Sequence, residues 1–112
     1  MSAATYNFNL DQGADFALEM IMKENGAVKD LSGYSARAQL RKTKDATEIT
    51  STFTCSVVDA SAGKIRMSMS NATTGAITAG VYFYDLEIFT ASDAFVLRLI
   101  QGQATVTREI TR

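Results

Sequence analysis

Asp85 and Glu87 are the two residues of this chain whose types and spacing come closest to those of a catalytic pair. They lie two positions apart in an apolar run typical of a β-strand, so their side chains point to the same face. Glycosidases use two carboxyl groups in this way, one as the acid and the other as base or nucleophile. Because Arg98 is expected to lie across from Glu87, we interpret the pair as part of a charge-paired strand face and keep a small hydrolase as an alternative.

Other groups that commonly carry out chemistry are missing from the sequence or stand alone. The 112 residues include no histidine, which removes the commonest general base and metal ligand. The single cysteine, Cys55, lies in an alternating apolar row and is predicted to be buried and unreactive. No glycine-rich loop precedes a long helix, and no run of closely spaced oxygen ligands suits calcium. We therefore predict that the protein is not an enzyme and holds no cofactor or metal.

Charge and hydropathy argue against nucleic-acid and membrane partners. The chain has 11 basic and 12 acidic residues and a net charge of -1, so no overall field attracts nucleic acid. A local basic edge is predicted, but no aromatic residues are interleaved with its members, Arg37, Arg41, Lys42 and Lys44. No stretch approaches the roughly 18 consecutive apolar residues of a membrane-spanning helix, and residues 1–5 lack the features of a signal sequence.

Apolar and polar residues alternate along most of the chain, and no segment keeps a helical period for long. Phe16, Leu18 and Met20 give the clearest strand, and turn signals such as Asn25-Gly26 recur about every 8 to 12 residues. This pattern predicts one all-β domain over residues 1–112, an antiparallel β-sandwich of about seven or eight strands. At most one short helical turn is expected, within residues 71–77, with Asn71 as its N-cap.

The inward-facing positions of these strands should form a core between two layers. Their outward neighbours are mostly polar, as in sheets that have one solvated face. The residues expected to be largely buried are Phe16, Leu18, Met20, Ala36, Ala38, Leu40, Ile65, Met67, Tyr84, Leu86, Leu99 and Val106.

The last third of the chain is predicted to contain a long β-hairpin. Its strands cover residues 80–89 and 95–102, and a four-residue loop within residues 91–94 places Glu87 opposite Arg98. Beyond residue 100 the apolar residues change from odd to even positions. Gly102 is the expected site of the β-bulge that produces this change.

Both faces of this hairpin carry apolar side chains. One face can line the core, but the other would leave several large side chains exposed on an isolated monomer, so we predict that a subunit or partner contact buries it. A helix or loop of the same chain, from residues 71–77 or the N-terminal segment, is the alternative cover. The candidate interface residues are Val81, Phe83, Glu87, Phe89, Val96, Arg98 and Ile100.

Several segments, taken in order, resemble small tail-associated proteins of tailed bacteriophages, related in style to the N-terminal domains of phage upper baseplate proteins. The resemblance covers about residues 5–112, with Ser32 where threonine is usual and no proline before Ala79-Gly80. The segments that carry it are Asp30-Leu31-Ser32-Gly33-Tyr34, the alternating strand from Ser35 to Arg41, Gly63-Lys64-Ile65, residues 71–77, Ala79-Gly80-Val81-Tyr82, Tyr84-Asp85-Leu86-Glu87, residues 98–106 and Glu109-Ile110-Thr111-Arg112.

This resemblance implies an immunoglobulin-like sandwich that serves as a non-enzymatic virion or virion-assembly component. It implies a homo-oligomer that docks on other virion proteins, and a location in the virion after synthesis in the host cytoplasm. The alternative, drawn from the residues, is a carbohydrate- or ligand-binding sandwich. In that case Tyr34, Tyr82 or Tyr84 would provide a ring on which the ligand stacks.

Overall fold

The alternating segments form ten strands, and eight of them join into one curled sheet in the computed structural model, which describes residues 4–110. The all-β prediction is therefore confirmed. Two short helical elements accompany the strands, α1 (Asn71–Gly75) and a 3-10 turn (Ala91–Asp93) in the last hairpin loop. The strands are β1 (Ala4–Thr5), β2 (Phe8–Asp11), β3 (Phe16–Ile21), β4 (Lys23–Glu24), β5 (Ala27–Val28), β6 (Ser35–Arg41), β7 (Ser51–Asp59), β8 (Lys64–Met69), β9 (Gly80–Phe89) and β10 (Val96–Thr107).

Strand β7 turns the sheet from one layer into the other. The strand order is β1-β10-β9-β6-β7-β8-β3, with β2 also paired to β10, while β4 and β5 form a separate hairpin. Phe53 of β7 pairs with Ala38 of β6, but from Thr54 onward β7 pairs with β8. The architecture is consequently a curled half-barrel in which β6, β9 and β10 face β3, β8 and the second half of β7.

The prediction of a purely antiparallel sheet is wrong at the N-terminal strands. Both β1 and β2 run parallel to β10, with Ala4 opposite Ile100 and Leu10 opposite Val106. The direction follows from the next connection. Because residues 12–15 lead from β2 into β3 in the opposite layer, β2 must run against β3 and hence in the same direction as β10.

The core lies between the two layers and is built from the inward positions of β6, β8, β9 and β10. Eight of the residues predicted to be buried are buried, including Leu40, Met67 and Leu86. Phe16, Leu18, Met20 and Ala36 are only half-buried. The first three lie on β3, which is an edge strand, so one side of the row lacks a neighbouring strand to cover it.

A loop residue, Leu31, belongs to the core and lies beside the turn that follows β7. It is 1% exposed although it lies between β5 and β6, and its backbone N–H donates to the Ala60 oxygen at 2.9 Å. A tight turn precedes the next strand, because Asp30 accepts from both the backbone and the hydroxyl of Ser32. Alternation in the sequence predicts only a loop here, because one buried side chain outside a strand produces no periodic pattern.

Helix α1 covers one end of the barrel. Its N-cap is Ser70, whose hydroxyl accepts from the Thr73 N–H at 3.3 Å, so the prediction of Asn71 as the cap is wrong by one residue. Asn71 instead donates to Asp15. Thr74 is fully buried, and its hydroxyl donates to the Ala14 oxygen at 2.8 Å. These bonds fix α1 to the turn between β2 and β3.

The final hairpin has the predicted loop and a different bulge. Glu87 lies opposite Arg98, as predicted, and the Thr90 N–H closes the loop by donating to the oxygen of Phe95. The register shifts between Arg98 and Ile100, not at Gly102. The even residues after the bulge then face inward, so Ile100 is in the core with 9% exposure and is not part of the outward face.

Gly102 is needed for close packing and not for a bulge. It pairs in normal register with Tyr84, while the N-terminal segment passes directly beside it. A Cβ atom at this position would overlap the backbone oxygen of Tyr6 and would lie 2.7 Å from Asn7 Oδ1. The missing side chain thus lets the N-terminal segment lie against β10.

Replacing Leu31 by alanine should cost about 2–5 kcal/mol in free energy of unfolding, because it leaves a cavity between the layers. Denaturant unfolding monitored by circular dichroism measures this change. Val58→Ala is the matched control, since Val58 is 49% exposed and a surface change is usually within about 0.5 kcal/mol. A loss for Leu31→Ala as small as that of the control would show that the loop does not belong to the core.

Candidate interaction surface

The outward side chains of β6, β9 and β10 form four rows that cross the three strands. The register of β9 with its two neighbours places one residue from each strand in every row. We call the two rows beside the hairpin loop the tip rows, Ser35-Phe89-Val96 and Arg37-Glu87-Arg98. The other two are the groove rows, Gln39-Asp85-Gln101 and Arg41-Phe83-Gln103.

Ion pairs connect these rows and engage both carboxylates of the hypothetical catalytic pair. Glu87 accepts from Arg37 Nε at 2.9 Å, and the same arginine reaches Asp93 at 3.3 Å. Arg98 lies opposite Glu87, but its Nε pairs with Asp85 Oδ2 at 3.1 Å. Because each carboxylate has its own arginine, the geometry supports a charge-paired face more than a general acid and base.

Asp85 differs from Glu87 in its surroundings. Burial against the sheet raises the pKa of Asp85, and the negative charge of Glu87 raises it further. The positive charges of Arg98 and Arg41 act in the opposite direction but do not cancel the effect. The carboxyl of Asp85 is therefore partly desolvated at the floor of this surface.

The apolar part of the surface is smaller than the sequence indicated. Phe83 and Phe89 are half-buried, and cations lie over their rings: Lys44 Nζ is 5.6 Å from the centre of Phe83, and Arg37 is 4.4 Å from that of Phe89. Val81 and Val96 are exposed, but they lie toward opposite ends of the hairpin. Of the seven predicted interface residues, the structure brings Glu87, Phe89, Val96 and Arg98 together in the tip rows and separates Val81, Phe83 and Ile100 from them.

A shallow groove of about 430 Å³ lies over the groove rows. One wall is the N-terminal segment with Thr5 and Asn7, and the other is the loop after β6 with Thr43 and Lys44. Sequence analysis did not identify this groove, because its residues come from four separate parts of the chain. Two of them, Arg41 and Lys44, belong to the basic edge predicted from the sequence.

The tyrosines proposed as stacking platforms occupy other positions. Tyr82 and Tyr84 are buried, and their hydroxyls donate to the backbone oxygens of Thr78 and Tyr6. Burial also raises the pKa of Tyr84. Tyr34 is half-buried and packs edge-on against Phe95. The rings of Tyr82 and Tyr84 therefore serve the core and are not available to stack on a ligand.

The Cys55 thiol and the possible metal ligands are the remaining candidates for chemistry. Burial raises the pKa of the half-buried Cys55 thiol to about 11, so the thiolate that would react is scarce at neutral pH. Within residues 4–110, no group of three or more histidine, cysteine, aspartate or glutamate residues is placed to hold a metal ion. In the same part of the chain no helix is long and apolar enough to cross a membrane.

No protein-family model matches the chain, and no curated protein sequence matches it. The outward surface of β6, β9 and β10 has two halves of different character, a tip with exposed apolar side chains and a groove with polar ones.

The raised pKa of Asp85 predicts a pH-dependent term in stability that Asp85→Asn removes. The unfolded carboxyl titrates near 3.8, and the folded one titrates higher. The native state thus binds the proton more tightly, and this contribution to stability is present at low pH and lost as pH rises through the folded pKa. The unfolding free energy of Asp85→Asn relative to wild type should therefore increase from about pH 4 to about pH 7. Denaturant titrations across that range measure it, and a constant difference would contradict the prediction.

Proposed function

We propose that this chain is a non-enzymatic interaction domain of the tail or baseplate of a tailed phage, which self-associates and docks on neighbouring virion proteins. The observation that carries the proposal is the uncovered outward face of the β9–β10 hairpin. Helix α1, one of the segments expected as an internal cover, lies instead against the β2–β3 turn. The N-terminal segment lies beside β10 as β1 and not over the tip rows.

The tip rows have the anatomy of a contact surface. Val96 is 41% exposed, and Phe89 lies next to it in the same row. Paired charges from Arg37 and Glu87 border this apolar centre. An apolar centre with a polar rim is typical of protein interfaces, and we call Phe89, Val96, Arg37 and Glu87 the tip surface.

The finer fold assignment in this proposal is an immunoglobulin-like sandwich. In that fold, strands B-E-D lie in one sheet and C-F-G in the other. The order β3-β8-β7 and β6-β9-β10 agrees with it when these strands are lettered B to G along the chain. Tyr82 adds support, because its hydroxyl donates to the Thr78 oxygen at 2.6 Å where β9 begins, as in a tyrosine corner. The shared strand β7 and the parallel β1 and β2 are departures from the simple pattern.

The virion assignment rests on the ordered resemblance to phage tail-associated proteins. Its segments coincide with structural features that the fold depends on: the buried loop residue Leu31, Ile65 in the core, and the strand Gly80–Phe89. A structural part used in several copies needs surfaces that fit other copies and neighbouring proteins. The tip surface supplies one such surface, with charge pairs that favour a defined orientation.

Val96→Asp should dissociate the self-associated form, because it places a charge in the apolar centre of the tip surface. Sedimentation equilibrium of the wild type and the variant measures the mass, and a thermal scan checks that the domain remains folded. Val58→Asp is the matched control: it introduces the same charge at a similarly exposed valine on β7 of the other layer. The control should keep the wild-type mass.

A monomeric wild type, or equal dissociation by both variants, would overturn the assignment of the tip surface.

The virion role is tested by a separate measurement. Mass spectrometry of phage particles and assembly intermediates, purified from a culture that encodes the chain, should detect its peptides. Their absence from both would contradict that role.

A further inference from the structure

Three amide side chains in the groove have their oxygens occupied by groups that can only donate. They belong to Asn7, Gln39 and Gln101. Their donors are, in the same order, the backbone N–H of Gln103 at 2.9 Å, Arg41 Nη2 at 3.0 Å and Arg98 Nη1 at 3.3 Å. Since backbone N–H and guanidinium groups never accept, these contacts fix which end of each amide is the oxygen.

The same three residues therefore keep their NH2 groups available. Within residues 4–110 none of these NH2 groups makes a hydrogen bond, and Lys44 Nζ has a ring contact with Phe83 but no ion pair. Three cationic side chains and one carboxylate line the groove, a surplus of two positive charges on a chain whose net charge is -1. The groove thus offers mainly donors and positive charge.

The donors are spread along a line and do not converge on one point. The groove crosses the N-terminal segment, β10, β9 and β6, and four neighbouring strands about 4.8 Å apart span about 14 Å. A compact anion such as phosphate would reach only part of this length. An extended ligand with acceptors at intervals would meet all of them.

The groove also contains one acceptor oxygen that Arg98 does not use. Arg98 pairs with Asp85 Oδ2, which leaves Asp85 Oδ1 for a donor from the ligand. Sugar hydroxyls both donate and accept, so a saccharide chain matches a floor that alternates amide donors with a carboxylate oxygen. We propose that this groove binds an acidic oligosaccharide, whose carboxylates lie toward Arg41 and Lys44.

This site is distinct from the tip surface. The groove rows lie on the side of the tip rows that is away from the hairpin loop, and none of the four residues of the tip surface lines the groove. Saccharide binding and self-association can therefore be measured separately on the same protein.

The decisive variant is the double substitution Gln39→Glu with Gln101→Glu. Each glutamate keeps an oxygen that accepts from its arginine but replaces the free NH2 with a second anionic oxygen. The groove loses two donors and its positive surplus. Affinity for tetragalacturonate, measured by isothermal titration calorimetry, should fall by at least about tenfold, the equivalent of one lost charge-assisted contact.

Ser56→Glu with Val58→Glu is the matched control, because it adds the same two charges to exposed positions in the half of β7 that belongs to the opposite layer. It should leave the affinity for tetragalacturonate within about twofold of the wild type, since charges on the opposite layer are largely screened. Lys44→Gln is a second variant. Lys44 lies in an exposed loop, and within residues 4–110 its side chain makes no hydrogen bond. This variant should weaken binding several-fold even if the double variant does not fold.

Two comparison ligands distinguish the alternatives. Neutral maltotetraose should bind more weakly than tetragalacturonate, and equal binding would overturn the acidic part of the proposal. Tetraglutamate should also bind more weakly, and an equal or greater affinity for it would identify the groove as a site for acidic peptides and overturn the saccharide. Failure of tetragalacturonate to bind the folded wild type would overturn the proposal as a whole.

Discussion

Burial of one face of β9 is the constraint on which the rest of the molecule depends. Tyr82, Tyr84, Leu86 and Ile88 all lie in the core, and because side chains alternate, the residues between them must face outward. The two hydroxyls extend this constraint beyond the strand. Tyr84 holds the N-terminal segment through the Tyr6 oxygen, so a core residue also positions one wall of the groove.

The outward face divides into two halves because of how its charges are partnered. At the tip, Arg37 and Glu87 neutralise each other, and what remains exposed is apolar. Around the groove, Arg41 and Arg98 are directed to amide oxygens and to a single carboxylate, which leaves donors unused. The same strands therefore present a surface suited to protein contact and a surface suited to a polar ligand. Because salt screens charges, it should weaken ligand binding in the groove more than protein contact at the tip.

Local patterns predicted the strands and turns well, whereas long-range pairing had to come from the structure. Alternation identified the strands, and the charge pair of Glu87 with Arg98 identified the hairpin register. The bulge was placed incorrectly because Gly102 satisfies the sequence rule for a bulge, while its true role depends on a segment almost one hundred residues away. Leu31 gave no periodic signal, and the groove amides share no local motif at all. Their proximity exists only once four strands are in register.

The parallel pairing of β2 with β10 has a consequence for how the protein is made. Leu10 of β2 pairs with Val106 of β10, so β2 has no strand partner until the last strand has been synthesised. Until then the backbone of β2 has no neighbouring strand to pair with, and contacts of such large sequence separation form slowly. The groove wall formed by the N-terminal segment thus depends on β10, and a nascent or truncated chain that lacks β10 would carry β9 without a complete groove.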